Sequence, residues 1–310
     1  MRILLQFPEG LKAGALEAAR KLKRKGHEVV ISASPCYGAC DVAFSEAEAV
    51  GAEKIIHYGH APFRLRVKPR IPVEYVEHRA RVGCEPALKK ALEDPDFRKC
   101  RRVALITTVQ HIGQLAEMKR FLEKGGKKVV VGKHGPLAAY DGQVLGCDPG
   151  SAVSAEGKAD CILYFGGGLF HPLGAALACK KRVIAADPFL RKAFWLDGER
   201  ERYLKRRKGL LMAGVSARRF GILVSVKPGQ LSLEPALRLK KRLEAAGKEA
   251  AVLVSDRIEP EALENFRSFD FYVDTACPRL ALDDWGRFGK PVMALADAEL
   301  LVSLLEKAKK

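Results

Sequence analysis

The sequence lacks any long apolar run: roughly eighteen uncharged apolar residues in succession are found nowhere along its length. A helix that crosses a membrane needs about 20 such residues, so no membrane-spanning segment is predicted. The apolar stretch Ile3 to Phe7 is too short for the apolar region of a signal peptide and ends at Pro8. We therefore expect a cytoplasmic protein with no membrane partner.

The eight cysteines lack a compact metal-binding motif. Only Cys36 and Cys40 are close in sequence, at a C-x3-C spacing, and no third cysteine completes the C-x3-C-x2-C loop of ordinary radical enzymes. Zinc, the rival metal, usually takes at least two ligands from one short segment, and only this pair offers that. Because cytoplasmic thiols stay reduced, a disulfide framework is not expected either. A cluster would have to be assembled between distant parts of the chain.

No recognised nucleic-acid-binding motif accompanies the positive charge. The chain carries 54 Lys and Arg against 37 Asp and Glu, a net charge of +17. A field of this sign attracts acidic partners, whether nucleic acid, ribosome or an acidic protein. The basic residues are scattered along helix faces, as in Lys21 to Lys25 and Lys240 to Arg242, which is typical of a solvated surface. Direct binding of nucleic acid is not expected.

What the sequence does contain is one pattern that occurs three times. Each copy opens with a short apolar strand, and an amphipathic helix with apolar residues at helical spacing follows it. Each helix stops at a glycine, which adopts the positive φ of a helix end without steric cost, and a second strand follows directly. The opening strands are Ile3 to Phe7, Val103 to Thr107 and Ile222 to Val226, and the glycines are Gly26, Gly126 and Gly247.

Third and fourth strands complete each copy, so strands alternate with helices throughout. Such alternation calls for parallel sheets with helices on both faces. The sequence therefore predicts an α/β protein of three Rossmann-like parallel-sheet domains, over 1–98, 99–212 and 213–310, in a pseudo-three-fold arrangement. Ligands bind beyond the carboxyl ends of such strands, so the loops of the three domains would point at one shared centre.

Cysteines in these loops are candidates for a shared metal centre. Cys36 and Cys40 follow the second strand of the first copy, Cys147 lies in the matching region of the second, and Cys277 follows the third strand of the third. Cys40, Cys147 and Cys277 each follow a small residue and precede aspartate or proline, which leaves room for a bulky cluster. Three thiolates suit a 4Fe-4S cubane with one iron open for a substrate.

The remaining cysteines fit a structural role, because most free cysteines are small buried hydrophobic residues. Cys161 falls within a strand and Cys179 lies on an apolar helix face. Cys84 and Cys100 lie near linkers beside basic residues, and the sequence shows no partner for either.

Four motifs resemble one known family: P-C-Y-G-A-C-D, I-I-H-Y-G-H-A-P, G-Q-V-L-G-C-D and D-T-A-C-P-R. It is the family of archaeal 2-(3-amino-3-carboxypropyl)histidine synthases, radical enzymes that carry out the first step of diphthamide biosynthesis. The resemblance covers nearly the whole chain, and three separate cysteine motifs in the same order are more specific than any one alone. Carried over position by position, the cluster ligands of the family are Cys40, Cys147 and Cys277, and Cys36 is not implied.

The resemblance also implies a reaction and its partners. The reduced 4Fe-4S cluster would donate an electron to S-adenosylmethionine and break the bond from sulfur to the γ-carbon of methionine. The 3-amino-3-carboxypropyl radical would add to C2 of a histidine imidazole in translation elongation factor 2, with methylthioadenosine as the other product. The family also implies a homodimer, while the electron donor is not indicated. The task of the protein would be orientation of the reactants.

Other residues at the same sheet ends are candidates for binding S-adenosylmethionine. The amide of Gln230 could hold the aminocarboxyl group, and Gly167, in a run of three glycines, could let the adenosine approach the backbone. For each candidate a structural explanation stays open, such as a loop histidine with satisfied hydrogen bonds, a turn, or an aspartate that anchors its loop. The further candidates for this binding site are His60, Asp187 and Asp274, and the histidines His57, His60 and His171 are also candidate proton donors.

Two other functions stay open at this point. Quinolinate synthase also resembles a three-domain arrangement around one cluster held by three distant cysteines, although the Y-G-A-C-D and G-Q-V-L-G-C-D contexts favour the diphthamide family. A basic protein that binds RNA or the ribosome, with its cysteines buried, is the non-enzymatic alternative. A brown colour on anaerobic purification would count against the latter.

Overall fold

The structure is a computed structural model that describes residues 1–308. Three β-sheets are present in this part of the chain, and helices connect their strands. This confirms the prediction of three α/β sheets; the last two residues of the predicted third domain lie outside the described residues. Among residues 1–308, no helix has the combination of length and apolar character that a bilayer crossing requires.

The first sheet has four parallel strands in the order β2-β1-β3-β4. Because successive side chains of a strand point to opposite faces, Ile3 and Leu5 pack under one helix and Leu4 under the other. The elements are β1 (Arg2–Gln6), α1 (Ala15–Lys23), β2 (Glu28–Ile31), α2 (Phe44–Ala49), β3 (Lys54–Gly59) and β4 (Val73–Glu77).

The second sheet has five strands in the order β6-β5-β7-β8-β9. Its last strand departs from the predicted all-parallel pattern, because β9 returns through a short connection and pairs antiparallel with β8. The elements are α3 (Glu85–Glu93), α4 (Pro95–Lys99), β5 (Arg102–Thr107), α5 (Leu115–Lys124), β6 (Lys128–Val130), α6 (Gly150–Glu156), β7 (Cys161–Phe165), α7 (Phe170–Ala178), β8 (Val183–Asp187) and β9 (Lys192–Trp195).

The third sheet has four parallel strands in the order β11-β10-β12-β13, which is the order of the first sheet. Its two faces are buried by separate apolar clusters. The elements are α8 (Asp197–Ser216), β10 (Arg219–Ser225), α9 (Leu233–Ala245), β11 (Glu249–Ser255), α10 (Pro260–Leu263), β12 (Phe271–Asp274), α11 (Pro278–Leu282), β13 (Val292–Ala294) and α12 (Leu295–Ala308).

The three predicted glycine caps are confirmed, and they share one hydrogen-bond pattern. The φ angles of Gly26, Gly126 and Gly247 are 82°, 81° and 83°. In each copy the glycine N–H donates to the carbonyl three residues earlier, and the next N–H reaches back to the carbonyl five residues earlier. This is the Schellman arrangement, in which a left-handed residue satisfies the last carbonyls of a helix. The carbonyl that accepts the N–H from five residues later belongs to a leucine in every copy: Leu22, Leu122 and Leu243.

A second repeated feature ties the first strand of each sheet to the third. An acidic residue just before the third strand accepts the N–H of the arginine at the start of the first strand, and its own N–H donates to the carbonyl of that arginine. The donor to acceptor distances from the arginine N–H are 2.9, 2.8 and 2.9 Å. The pairs are Arg2 with Glu53, Arg102 with Asp160, and Arg219 with Asp270.

The chain divides into two compact units, an N-terminal unit (Met1–Asp197) that holds the first two sheets and a C-terminal unit (Gly198–Lys310) that holds the third. Residue 98 lies within α4 and residue 212 within α8. The domain limits and the pseudo-three-fold arrangement stay predictions.

Hydrogen bonds join the first two sheets inside the N-terminal unit. Ala80 donates its N–H to the carbonyl of Gln110 over 2.9 Å. The hydroxyl of Tyr140 donates to Glu77, at the end of β4, over 2.7 Å. Because residue 140 belongs to the long segment between β6 and α6, these contacts hold that segment against the carboxyl end of the first sheet.

Candidate metal centre

The loop after β2 carries Cys36 and Cys40, and its conformation is fixed by residues of the motif itself. The side chain of Asp41 accepts the N–H of Tyr37 over 3.2 Å. Gln6, at the end of β1, donates its amide N–H to the carbonyl of Asp41 over 2.7 Å and accepts the N–H of Ala43 over 3.1 Å. A buried side chain of the neighbouring strand therefore holds both ends of the segment that follows Cys40.

The two cysteines of this loop have different surroundings. Cys36 is buried, with 5% of its surface exposed, and its Sγ lies 4.0 Å from Nε2 of His57 in the sheet. Cys40 is half-buried. Burial raises the pKa of Tyr75 to about 12, and the nearby thiols of Cys40 and Cys36 contribute. The tyrosine on β4 therefore lies beside both thiols.

Cys147 lies in a tight turn between β6 and α6. Leu145 and Asp148 exchange two backbone hydrogen bonds of 2.9 and 3.1 Å, so Gly146 and Cys147 form the tip of the turn. The glycine is required there, because a Cβ at residue 146 would lie 2.2 Å from the ring of Phe170 on α7. The turn rests against α7, and Cys147 is exposed.

Asp148 and Gln143 organise the segment that ends in this turn. The carboxylate of Asp148 is buried and accepts the N–H groups of Leu137, Ala138 and Gly150 over 2.7, 3.2 and 2.9 Å. Gln143 accepts two further backbone N–H groups with its side-chain oxygen. The G-Q-V-L-G-C-D motif is therefore explained by backbone groups that its side chains satisfy.

Cys40 and Cys147 lie near enough within the N-terminal unit for their thiols to interact electrostatically. Although Cys147 is exposed, desolvation raises the pKa of its thiol to about 12, and the neighbouring Cys40 raises it further. Arg66 is close enough to lower the same pKa. Two thiols from loops of different sheets and a cation beside them suit a metal that binds thiolate and carries negative charge.

Cys277 lies in the C-terminal unit at the corresponding end of its sheet. It is the residue immediately before α11, and Pro278 begins that helix. Asp274, the last residue of β12, accepts the N–H groups of Ala276 and Cys277 over 2.8 and 3.2 Å. Burial raises the pKa of Asp274 to about 7, and these two hydrogen bonds oppose that shift. The aspartate therefore anchors the loop that carries Cys277. This is the structural explanation that the sequence left open beside a role in binding S-adenosylmethionine.

The predicted structural cysteines are confirmed in part. Cys161 is buried in β7, and Cys179 is buried directly after α7. The expectation that Cys84 and Cys100 have no partner is wrong. Cys84 is fully buried and donates to Glu117 over 3.3 Å, while Cys100 contacts Cys161.

The candidates of the second sheet lie at its carboxyl end. Gly166 and Gly168 have φ angles of 152° and 76°, so the glycine run is a turn that other residues would adopt only with strain. Asp187 is buried and accepts the N–H groups of Phe189 and Leu190 over 2.8 and 3.0 Å. A Cβ on Gly167 would lie 3.0 Å from the ring of Phe189 and 3.8 Å from the Asp187 carboxylate, so the ring packs against the glycine and the aspartate lies near both.

The remaining candidates have well-defined positions. Gln230 lies in the turn after β10, where it is 8% exposed and donates its N–H to the carbonyl of Lys227 over 2.9 Å. His171 lies within α7. The sequence suggested that His57 follows the third strand. The structure instead places it inside β3, where it is fully buried. Contact of Gln230 with S-adenosylmethionine and a proton-donor role for His57 or His171 stay predictions.

His57 and His60 form a buried pair. His57 Nε2 lies 2.9 Å from His60 Nδ1, and His57 Nδ1 lies 2.9 Å from the side-chain oxygen of Gln6. Burial lowers the pKa of His57 to about 3, and the proximity of His60 contributes. Burial likewise lowers the pKa of His60 to about 4. Both rings are therefore neutral near pH 7.

Sequence reasoning missed the positioning residues Gln6, Asp41, Gln143 and Asp148. One signal was available, because Cys40 and Cys147 are each followed directly by aspartate. The sequence does not reveal the role of these aspartates, because an aspartate that accepts loop N–H groups and one that faces a ligand have the same sequence signature.

Comparisons with known proteins show the family of this chain. The family model described as "Putative diphthamide synthesis protein" matches residues 7–310. The 2-(3-amino-3-carboxypropyl)histidine synthase of Pyrococcus horikoshii is 40% identical over 99% of this chain and 87% of the relative. Subunit 1 of the synthase of Caenorhabditis elegans is 30% identical over 97% of this chain and 75% of the relative.

One solved structure is similar over nearly the whole chain. It is a crystal structure of Dph2 from Pyrococcus horikoshii with a 4Fe-4S cluster, with a TM-score of 0.89 and 38% identity, and the match covers 98% of this chain and 86% of the other. The extent of these matches, together with the cysteine loops described above, establishes that this chain belongs to the diphthamide synthesis protein family.

Proposed function

We propose that this chain transfers the 3-amino-3-carboxypropyl group of S-adenosylmethionine to C2 of a histidine imidazole in translation elongation factor 2. The observation that carries the proposal is that Cys40 and Cys147 lie near enough within one unit to interact electrostatically, on loops whose backbone N–H groups are accepted by Asp41 and Asp148. Membership of the diphthamide synthesis family favours this reaction over that of quinolinate synthase and over a non-enzymatic RNA-binding role.

Cys40, Cys147 and Cys277 are the residues proposed to hold a 4Fe-4S cluster. The donor set fits the group, because thiolates are its usual ligands and three of them leave one iron open. When bound, the cluster supplies the electron that cleaves S-adenosylmethionine at the bond between sulfur and the methionine γ-carbon. Cys36 fits this role less well than Cys40, because its thiol is buried against His57.

The contribution of the chain itself is to hold the reactants in one orientation. The carboxylates of Asp41, Asp148 and Asp274 accept backbone N–H groups and so keep the three thiols in place. Gly167 and Asp187 lie near each other at the end of the second sheet, beside the ring of Phe189, and both are proposed as part of the S-adenosylmethionine site. Gln230, His60 and Asp274 complete the proposed set, with Asp274 also in its anchoring role.

Elongation factor 2 as the protein substrate and a homodimer as the active form are parts of the same proposal. A net charge of +17 favours association with an acidic partner.

The proposal is tested by anaerobic incubation of the reconstituted full-length protein with dithionite, S-adenosylmethionine and elongation factor 2. Mass analysis of the factor should show the added aminocarboxypropyl group on one histidine. An unmodified factor, in a reaction whose protein carries a full complement of iron and sulfide, would contradict the proposal.

A further inference from the structure

A second group of potential metal ligands lies beside the proposed cluster site and is not used by it. Sγ of Cys36, a ring nitrogen of His57 and a ring nitrogen of His60 all lie within 4.8 Å of one another. Cys36 Sγ is 4.0 Å from His57 Nε2, which is 2.9 Å from His60 Nδ1. Cys36 and His57 are buried, and His60 is half-buried.

These separations are close to those of a tetrahedral metal site. Zinc bonds of about 2.3 Å to sulfur and 2.0 Å to nitrogen place a sulfur and a nitrogen ligand about 3.6 Å apart and two nitrogens about 3.3 Å apart. The observed separations of 4.0 and 2.9 Å differ from these values by amounts that small side-chain rotations supply. An ion at the centre would replace the hydrogen bond between the two rings.

Hydrogen bonds to Gln6 select the tautomer of His57 that such a site needs. Because the Gln6 amide donates to Asp41 and its oxygen accepts the N–H of Ala43, the oxygen is the atom that faces His57 Nδ1. Nδ1 must therefore carry the proton, and Nε2 presents its lone pair toward Cys36 and His60. A metal-binding histidine is commonly oriented by such an acceptor on its second nitrogen.

The orientation of Cys36 separates this group from the proposed cluster ligands. Its Sγ lies 4.0 Å from His57 Nε2 and 3.9 and 4.0 Å from the carbonyl oxygens of Gly38 and Asp41, whereas the Cys40 thiol lies near enough to Cys147 to raise the pKa of that thiol. Three donors of the Cys and His types suit a borderline-soft divalent ion with tetrahedral geometry, and not magnesium or calcium, which take oxygen ligands.

We propose that Cys36, His57 and His60 form a second metal site, for a divalent ion of the zinc class. Binding would release the proton of the Cys36 thiol, and the proton of His60, which the hydrogen bond to His57 Nε2 places on Nδ1, would move to Nε2 so that Nδ1 can coordinate. The ion would tie the loop that carries Cys40 to the end of β3. This inference goes beyond the proposed transferase reaction, and it assigns His60 to the ion in place of the contact with S-adenosylmethionine proposed above.

The test uses the full-length, iron-loaded protein, equilibrated anaerobically with Zn²⁺ and then desalted. Zinc and iron per chain are measured together by mass spectrometry, and X-ray absorption at the zinc edge reports zinc ligands independently of iron. The expected result is one zinc per chain with one sulfur and two imidazole nitrogens, while the iron content stays constant. Cys36→Ser and His60→Asn should each lower retained zinc about tenfold or more and leave iron in place.

The matched control is His78→Asn, because His78 is an exposed histidine that follows β4 in the same sheet. It should retain zinc as the parent protein does. Failure of the parent protein to retain zinc, equal zinc in Cys36→Ser, or loss of iron as zinc enters would each overturn the proposal. Formation of methylthioadenosine is assayed on the same samples, so a failure of the transferase proposal would be seen separately.

Discussion

Asp148→Asn should loosen the turn that presents Cys147, because the carboxylate of Asp148 alone satisfies three backbone N–H groups. The amide is nearly the same size, but it carries no charge and offers one acceptor atom instead of two. At least one of the three N–H groups then faces a donor. Hydrogen bonds to charged groups contribute about 1.5–3 kcal/mol, and a buried N–H without a partner costs about 1–3 kcal/mol, so we expect a local loss of about 2–4 kcal/mol.

Amide hydrogen exchange measures this loss where it occurs, since exchange reports the free energy of local opening. At about 1.4 kcal/mol for each factor of ten, the amides of Leu137, Ala138 and Gly150 should exchange about 30- to 700-fold faster. Iron retained after reconstitution should fall in parallel, because the thiol of Cys147 is no longer held in place.

Asp141→Asn is the matched control, since Asp141 lies in the same segment. Its carboxylate is 40% exposed and interacts with Lys133 and His134, so solvent screens these interactions and the substitution should change the exchange rates much less than Asp148→Asn does. Equal exchange rates in the two variants would refute the role assigned to Asp148. Fast exchange in Asp148→Asn with undiminished iron would refute the link between that turn and the cluster.

Three further results are expected. Cys40→Ser should lose most of its iron and its activity, whereas Cys36→Ser should retain most of both; the reverse order in iron analysis would mean that the other thiol is the ligand. Gly146→Ala should destabilise the protein by about 1–3 kcal/mol in urea unfolding and lower its iron content, because its Cβ would overlap Phe170, whereas Gly157→Ala, which meets nothing within 4 Å, should do neither. Reduced holoprotein without elongation factor 2 should slowly convert S-adenosylmethionine to methylthioadenosine, and chromatography that shows 5'-deoxyadenosine as the main nucleoside would contradict the proposed choice of bond.

The scaffold was predictable from sequence because its signals are local. An apolar strand, an amphipathic helix and a glycine at its end lie within one short segment, so Gly26, Gly126 and Gly247 could be identified without knowledge of the fold. The pairing of Arg102 with Asp160 could not be predicted, because the two residues are 58 positions apart and become neighbours only when the strands assemble. The antiparallel strand β9 was missed for a similar reason, since its partner is chosen by packing at the sheet edge.

The cysteines of the site were predictable from their loops and from the family motifs, but the side chains that position them were not. Gln6 reads as a polar interruption of an apolar strand, and only the folded structure shows that it holds the Cys40 loop and a histidine at once. Asp187 and Asp274 were placed at the correct sheet ends, yet their hydrogen bonds to the backbone explain their presence before any ligand is considered.

The repeated scaffold and the unrepeated cysteines have an evolutionary consequence. The Schellman caps and the pairs of arginine with an acidic residue occur at equivalent places in all three copies, as expected for descent from one duplicated ancestral segment. Cys277, however, follows the third strand of its copy, whereas Cys40 and Cys147 follow the second. We infer that Cys277 does not descend from the ancestral position of the other two, and that selection for a thiol at the carboxyl edge of the sheet was met after duplication by whichever loop reached it.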